Sequence, residues 1–148
     1  MFDQFYNYFS ELTVPWAYDL FIRLFLAAIA GAIVGIEREY HGRPAGMRTH
    51  ILVSLGAAMI SLISIEMTLM TEPMTDNVRF QVDPGRIVQG VVTGIGFLGA
   101  GAIIKIGATA RGLTTAASLW CIAIVGMGFG FGIYRIPALG TLLMLFTL

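Results

Sequence analysis

Long apolar runs separated by short polar breaks set the layout of the chain. The stretch from Ile87 to Ile104 holds 18 residues without a formal charge, enough as a helix to cross a hydrocarbon core of roughly 30 Å. It predicts a span over about 86–104, and similar runs predict spans over about 16–36, 50–70 and 113–134. Asp19 and Arg23 interrupt the first, and Glu66 sits near the far end of the second. A fifth run restarts at Pro137 and stops at Leu148, short of the roughly 20 residues a spanning helix needs. Ahead of the first span, Phe2, Phe5, Tyr6 and Phe9 recur at helical spacing, with Asp3, Asn7 and Ser10 elsewhere on the wheel. That pattern suits a short helix lying in the membrane interface. The expected fold is therefore an all-α integral membrane protein: a single domain with a bundle of four full transmembrane helices, a fifth, truncated one over 137–148, and a short N-terminal interfacial helix.

The polar breaks carry the boundary signals. Pro15 and Trp16 open the first span, with the indole expected at headgroup depth. Asp83 followed by Pro84 reads as an N-cap and first helical residue for the third span. A polar loop runs from Glu37 to His50, and Lys105 to Gly112 reads as a short turn. The loops after spans one and three hold Arg38, Arg43, Arg48, Lys105 and Arg111, against Arg79, Arg86 and Arg135 on the other side. This bias places 37–50 and 105–112 in the cytoplasm and the N-terminus outside.

Glycines recur inside the apolar runs. Ala27, Gly31 and Gly35 fall every four residues, with Glu39 continuing the stripe, and the third span carries Gly90, Gly94, Gly96, Gly99 and Gly101. Glycine costs about 1 kcal/mol against alanine in a helix exposed to water, so some compensation is required. In a membrane the usual one is close helix approach on a small-residue face; the other reading is backbone lining a polar path or forming a hinge. Arg23 and Glu66 fall at similar depth on neighbouring antiparallel spans, so they are expected to pair, because a charge inside a span usually faces protein; snorkelling of each to the surface is the alternative. Gly35 and Gly46 share the spacing of Gly101 and Gly112, and Thr49 and Thr115 follow each pair at the same offset, a faint sign of a parallel repeat of two hairpins.

Composition agrees with the pattern. The chain is 57% hydrophobic and 12% charged, where a soluble domain carries about 25% charged residues. A formal net charge of zero gives no support for a nucleic-acid partner. Cys121 is the only cysteine and lies in an apolar run, which excludes internal disulfides and cysteine metal clusters. Asp3 and Glu11 precede any basic residue, unlike the start of a cleaved signal, so the first span is expected to persist. No phosphate-cradling loop, serine triad or paired histidines at metal spacing occurs, and the chain reads as a non-enzyme. The polar residues worth attention collect at the cytoplasmic helix ends: Glu37, Arg38, Glu39, Arg48, Thr49, His50, Lys105, Arg111, Thr114 and Thr115. Carboxylates suit magnesium, but the arginines compete, so a salt-bridge network fixing the helix ends is the simpler reading. In it, Glu39 and Arg48 hold the first hairpin closed against the third and fourth helices. Whether a metal binds is left open.

Four blocks, GIERE (Gly35 to Glu39), AGMRTHILVSLGAA (Ala45 to Ala58), GIGFLGAGAI (Gly94 to Ile103) and RGLTTAASLW (Arg111 to Trp120), resemble the MgtC/SapB family of bacterial inner-membrane proteins. The resemblance implies a small membrane regulator linked to magnesium limitation and to survival inside host cells, with no cofactor of its own. It also implies a membrane partner such as the ATP synthase, met through helix contacts. Many members carry a soluble domain after the fifth helix, similar to ligand-sensing ACT domains, and nothing of it appears here. Two other functions are weighed: a transporter or channel for magnesium or another small solute, which needs a homo-oligomer with a dimer favoured, and an anchor for a missing domain, ranked last.

Overall fold

The computed structural model describes residues 14–69, 83–106 and 109–148. The expected interfacial helix over 1–13 and the loop bearing Glu72, Asp76 and Arg79 lie outside the described residues. Five helices follow in order: α1 (Val14–Tyr40), α2 (Met47–Leu69), α3 (Pro84–Ala102), α4 (Leu113–Gly130) and α5 (Arg135–Thr147). Between α3 and α4 the chain forms a small antiparallel hairpin of β1 (Ile104–Ile106) and β2 (Thr109–Arg111), with Lys105 opposite Ala110. The short turn expected over 105–112 is thus a two-stranded element.

Ala17–Tyr40, Met47–Thr68 and Leu113–Gly130 are long and apolar enough to cross a membrane. The all-α membrane architecture holds, but among the described residues three helices meet that measure where four full spans were expected. Helix α3 has 19 residues and ends two positions before the expected Ile104, because Ile103 turns extended at φ −94°, ψ 117° and leads into β1. Arg86 and Gln89 occupy its first turns, so its apolar stretch is shorter than the others. At its start, Asp83 Oδ1 accepts a hydrogen bond from Gly85 N at 2.8 Å, and Pro84 follows as expected.

Two glycines end helices in the same way. After α1, Arg43 N donates to Arg38 O and Gly42 N to Glu39 O; after α4, Ile133 N donates to Gly128 O and Gly132 N to Phe129 O. This paired pattern closes the orphan carbonyls of a helix end and needs a left-handed residue at its centre. Gly42 at φ 63° and Gly132 at φ 76° supply it.

Helices α1, α2 and α4 pack on one another. Their shared core is Ala27, Ala30, Val34, Ala58, Ile122, Val125 and Phe129. Small side chains predominate on α1 and α2, which lets backbones approach where lipid tails are as apolar as leucine and the hydrophobic effect cannot drive helices together. Helix α3 leans on α4 and touches α2 lightly, with Ile95 against Ala57, Ala123 and Met127.

Candidate functional site

The expected cluster divides at the joint of the α1 C-terminus with the N-termini of α2 and α4. Arg38, His50 and Thr115 are fully buried, and Glu37 is half-buried beside them. Arg48, Thr49, Lys105, Arg111 and Thr114 are exposed, and among the described residues Arg48, Lys105 and Arg111 form no ion pair. Glu39 is exposed as well, and its Oε2 accepts from Met47 N at 3.1 Å. Its carboxylate therefore caps the start of α2 across the turn and does not pair with Arg48, which corrects the Glu39–Arg48 hold. An anion at a helix N-terminus satisfies an orphan amide and meets the positive end of the helix dipole.

Inside the joint, His50 Nδ1 lies 3.0 Å from Gly46 O, and Nε2 lies 3.1 Å from Ser118 Oγ on α4. A carbonyl accepts only, so Nδ1 donates to Gly46 O, while the single Ser118 hydroxyl hydrogen serves either Nε2 or the carbonyl of Thr115. Ser118 Oγ also reaches Thr115 O at 2.9 Å. Glu37 Oε1 stands 2.8 Å from His41 Nδ1, and Oε2 stands 3.9 Å from Arg38 Nη1. The salt-bridge network is therefore narrower than expected, confined to α1 and its following turn.

The far end of the bundle holds a second cluster. Arg23 Nη2 pairs with Asp19 Oδ2 at 2.6 Å, one turn away on α1, and Nη1 donates to Gly130 O at 3.1 Å. Tyr134 OH reaches Asp19 Oδ1 at 3.3 Å. A cation on the last carbonyls of α4 matches the negative end of that helix. The expected Arg23–Glu66 pair is thus replaced: a carboxylate on Arg23's own helix is nearer, while Glu66 lines an apolar pocket with Leu20, Leu24 and Met67.

The glycines also divide. A methyl group at Gly31 would lie 2.7 Å from His50 O, and one at Gly35 would lie 2.5 Å from Met47 Cα, so these two pack α1 on the backbone of α2. Gly99 allows ordinary contact with Ala116. At Gly90, Gly94, Gly96 and Gly101 a methyl group would meet nothing within 4 Å among the described residues. Gly90 and Gly94 instead line an open apolar groove of about 630 Å³ between α2 and α3, with Gly56 on the opposite wall. The tight glycines missed in the sequence are on α4: a methyl group at Gly126 would meet the backbone of Ser54, and one at Gly130 would lie 2.5 Å from Ala58 O. Also missed is the polar face of α2. His50, Ser54, Ser61 and Ser64 are all buried, at intervals that keep one helical side. Only a wheel drawn for buried hydroxyls shows it. Ser54 Oγ donates to Ala27 O of α1 at 2.7 Å, whereas Ser61 and Ser64 donate to carbonyls of their own helix. Among the described residues no three histidine, cysteine, aspartate or glutamate side chains converge as metal ligands.

The model of the MgtC family matches residues 24–148, most of the chain. The chain belongs to the MgtC family. Among its MgtC-family relatives, YhiD of Escherichia coli K12, whose name proposes magnesium transport, is 41% identical over 130 residues, 88% of this chain and 59% of that protein. MgtC of Salmonella typhimurium LT2 is 41% identical over 124 residues, 84% of this chain and 48% of that one. The chain thus spans between about half and three-fifths of the relatives it matches. No solved structure matches it significantly.

Proposed function

We propose that this MgtC-family protein is a non-enzymatic regulator in magnesium homeostasis, seated in the bacterial inner membrane and acting through helix contacts. The observation that supports this is the contrast between its glycines. Gly31, Gly35, Gly126 and Gly130 are spent on backbone contact inside the bundle, while Gly90, Gly94, Gly96 and Gly101 stand open on α3. Such a small-residue face suits a partner helix. A second copy of the chain, as a dimer, and a membrane complex such as the ATP synthase are the proposed partners. The proposed orientation keeps 37–50 and 105–112 in the cytoplasm and the N-terminus outside, on the arginine and lysine bias.

The test is reconstitution of the purified protein alone into liposomes holding a magnesium-sensitive dye, under an imposed magnesium gradient. The regulator reading expects no uptake above empty liposomes, and it expects crosslinks from α3 to a partner in native membranes. Uptake by the protein alone overturns it in favour of a magnesium transporter working as a homo-oligomer, the reading that the name of YhiD supports.

A further inference from the structure

Arg38 heads the fully buried side chains, at 2% exposure, and its charge is loosely answered. Nη1 stands 3.9 Å from Glu37 Oε2, while Nε and Nη2 are buried and meet no hydrogen-bond partner among the described residues. Those two nitrogens share one edge of the guanidinium plane, whose parallel N–H bonds fit two oxygens of a carboxylate or phosphate at once. The neighbouring groups do not serve that edge. Glu37 stands 2.8 Å from His41 Nδ1 through Oε1 and 3.9 Å from Nη1 through Oε2, both oxygens themselves buried without a hydrogen bond among the described residues, and both ring nitrogens of His50 are engaged by Gly46 O and Ser118 Oγ. A buried charge left without partners is strongly destabilising. Water answers each N–H singly, whereas one oxyanion answers both and neutralises the charge.

We propose that the Nε/Nη2 edge of Arg38 is the receptor for an oxyanion group, a phosphate or carboxylate, bound where the end of α1 meets the starts of α2 and α4. The oxyanion is either soluble or the phosphate of a lipid headgroup. The site rests on geometry independent of the regulator reading, so either stands if the other fails. It also gives the joint a chemical input: the group that docks on Arg38 bears on the same turn that Glu39 and His50 organise.

The test uses the full chain with ¹⁵N-labelled arginine in uncharged detergent, following the arginine Nε–H signals. Inorganic phosphate is titrated against chloride at matched ionic strength. Phosphatidic acid is titrated separately, beside diacylglycerol as its phosphate-free counterpart. One signal, absent in Arg38→Lys, is expected to move and saturate, and Arg38→Lys should bind the same probe at least tenfold more weakly. Arg48→Gln, an exposed arginine near the same end, should leave affinity within twofold. Saturation by inorganic phosphate establishes a soluble ligand; saturation by phosphatidic acid alone establishes a lipid headgroup. If Arg38→Lys fails to fold, the parent still decides: Arg23 Nε is also buried, so Arg23→Lys assigns that signal and leaves the remaining slowly exchanging Nε–H to Arg38. No saturable change of that signal with either probe overturns the proposal.

Discussion

Replacing Gly126 by alanine should pry α2 from α4. A methyl group there lands on Ser54 O, with Ser54 C at 2.8 Å and Cα at 2.9 Å. Carbon atoms rest at about 3.5–4.0 Å, so the helices must part locally by roughly 0.7 Å. The contact that opens is the one sealing Ala58, Ile122 and Val125. Overpacking of this kind costs about 1–3 kcal/mol, and a backbone neighbour cannot rotate away, which puts it at the upper end. Alanine returns about 1 kcal/mol of helix propensity, leaving a net loss of about 2 kcal/mol. The assay is equilibrium unfolding in mild detergent with rising sodium dodecyl sulfate, followed by far-ultraviolet circular dichroism. Gly94→Ala is the internal control: with nothing within 4 Å, it should leave the isolated chain unchanged or up to about 1 kcal/mol more stable. If Gly126→Ala unfolds with the parent, or Gly94→Ala loses as much as Gly126→Ala, the packing argument is wrong.

Three further outcomes are expected from the same unfolding assay. Gly132→Ala meets both a left-handed backbone and the Arg23 guanidinium carbon at 3.0 Å, so it should cost about 1–3 kcal/mol; a neutral result would deny the strain. Ser118→Ala removes the partner of His50 Nε2 in a fully buried setting and should cost about 1–3 kcal/mol, whereas Thr114→Ala, exposed on the same turn, should be near neutral. Glu39→Gln keeps an oxygen for Met47 N and should lose only about 0.3–1 kcal/mol of charge–dipole attraction, against about 0.5–2 for Glu39→Ala; equal losses would show that charge, not capping, is the role of Glu39.

Much of the architecture was written in periods and boundary residues. Apolar runs long enough for a bilayer located α1, α2 and α4, because length and apolarity are local properties. Asp83–Pro84 located the start of α3 for the same reason: a cap is completed within one turn. The end of α3 was misplaced because an apolar run continues through Ile103 and Ile104 whether the backbone stays helical or turns into a strand, and the pairing of Ile104 with Arg111 is a non-local matter.

The candidate site was legible as a region but not as a set of contacts. Membership of the helix ends identified Glu37, Arg38 and His50 by sequence alone, and it collected Arg48, Lys105 and Arg111 equally, since position along the chain does not distinguish a buried arginine from an exposed one. Which charges meet depends on competition: Arg23 takes Asp19 one turn away and the carbonyl of Gly130 before Glu66 can matter. The glycines make the division plainest. Sequence determined that small residues would line the helices and that a membrane would be their solvent. Only the tertiary arrangement decided that Gly126 and Gly130 are closed against α2 while Gly90 and Gly94 stay open, because a missing side chain has meaning only through the backbone that comes to fill its place.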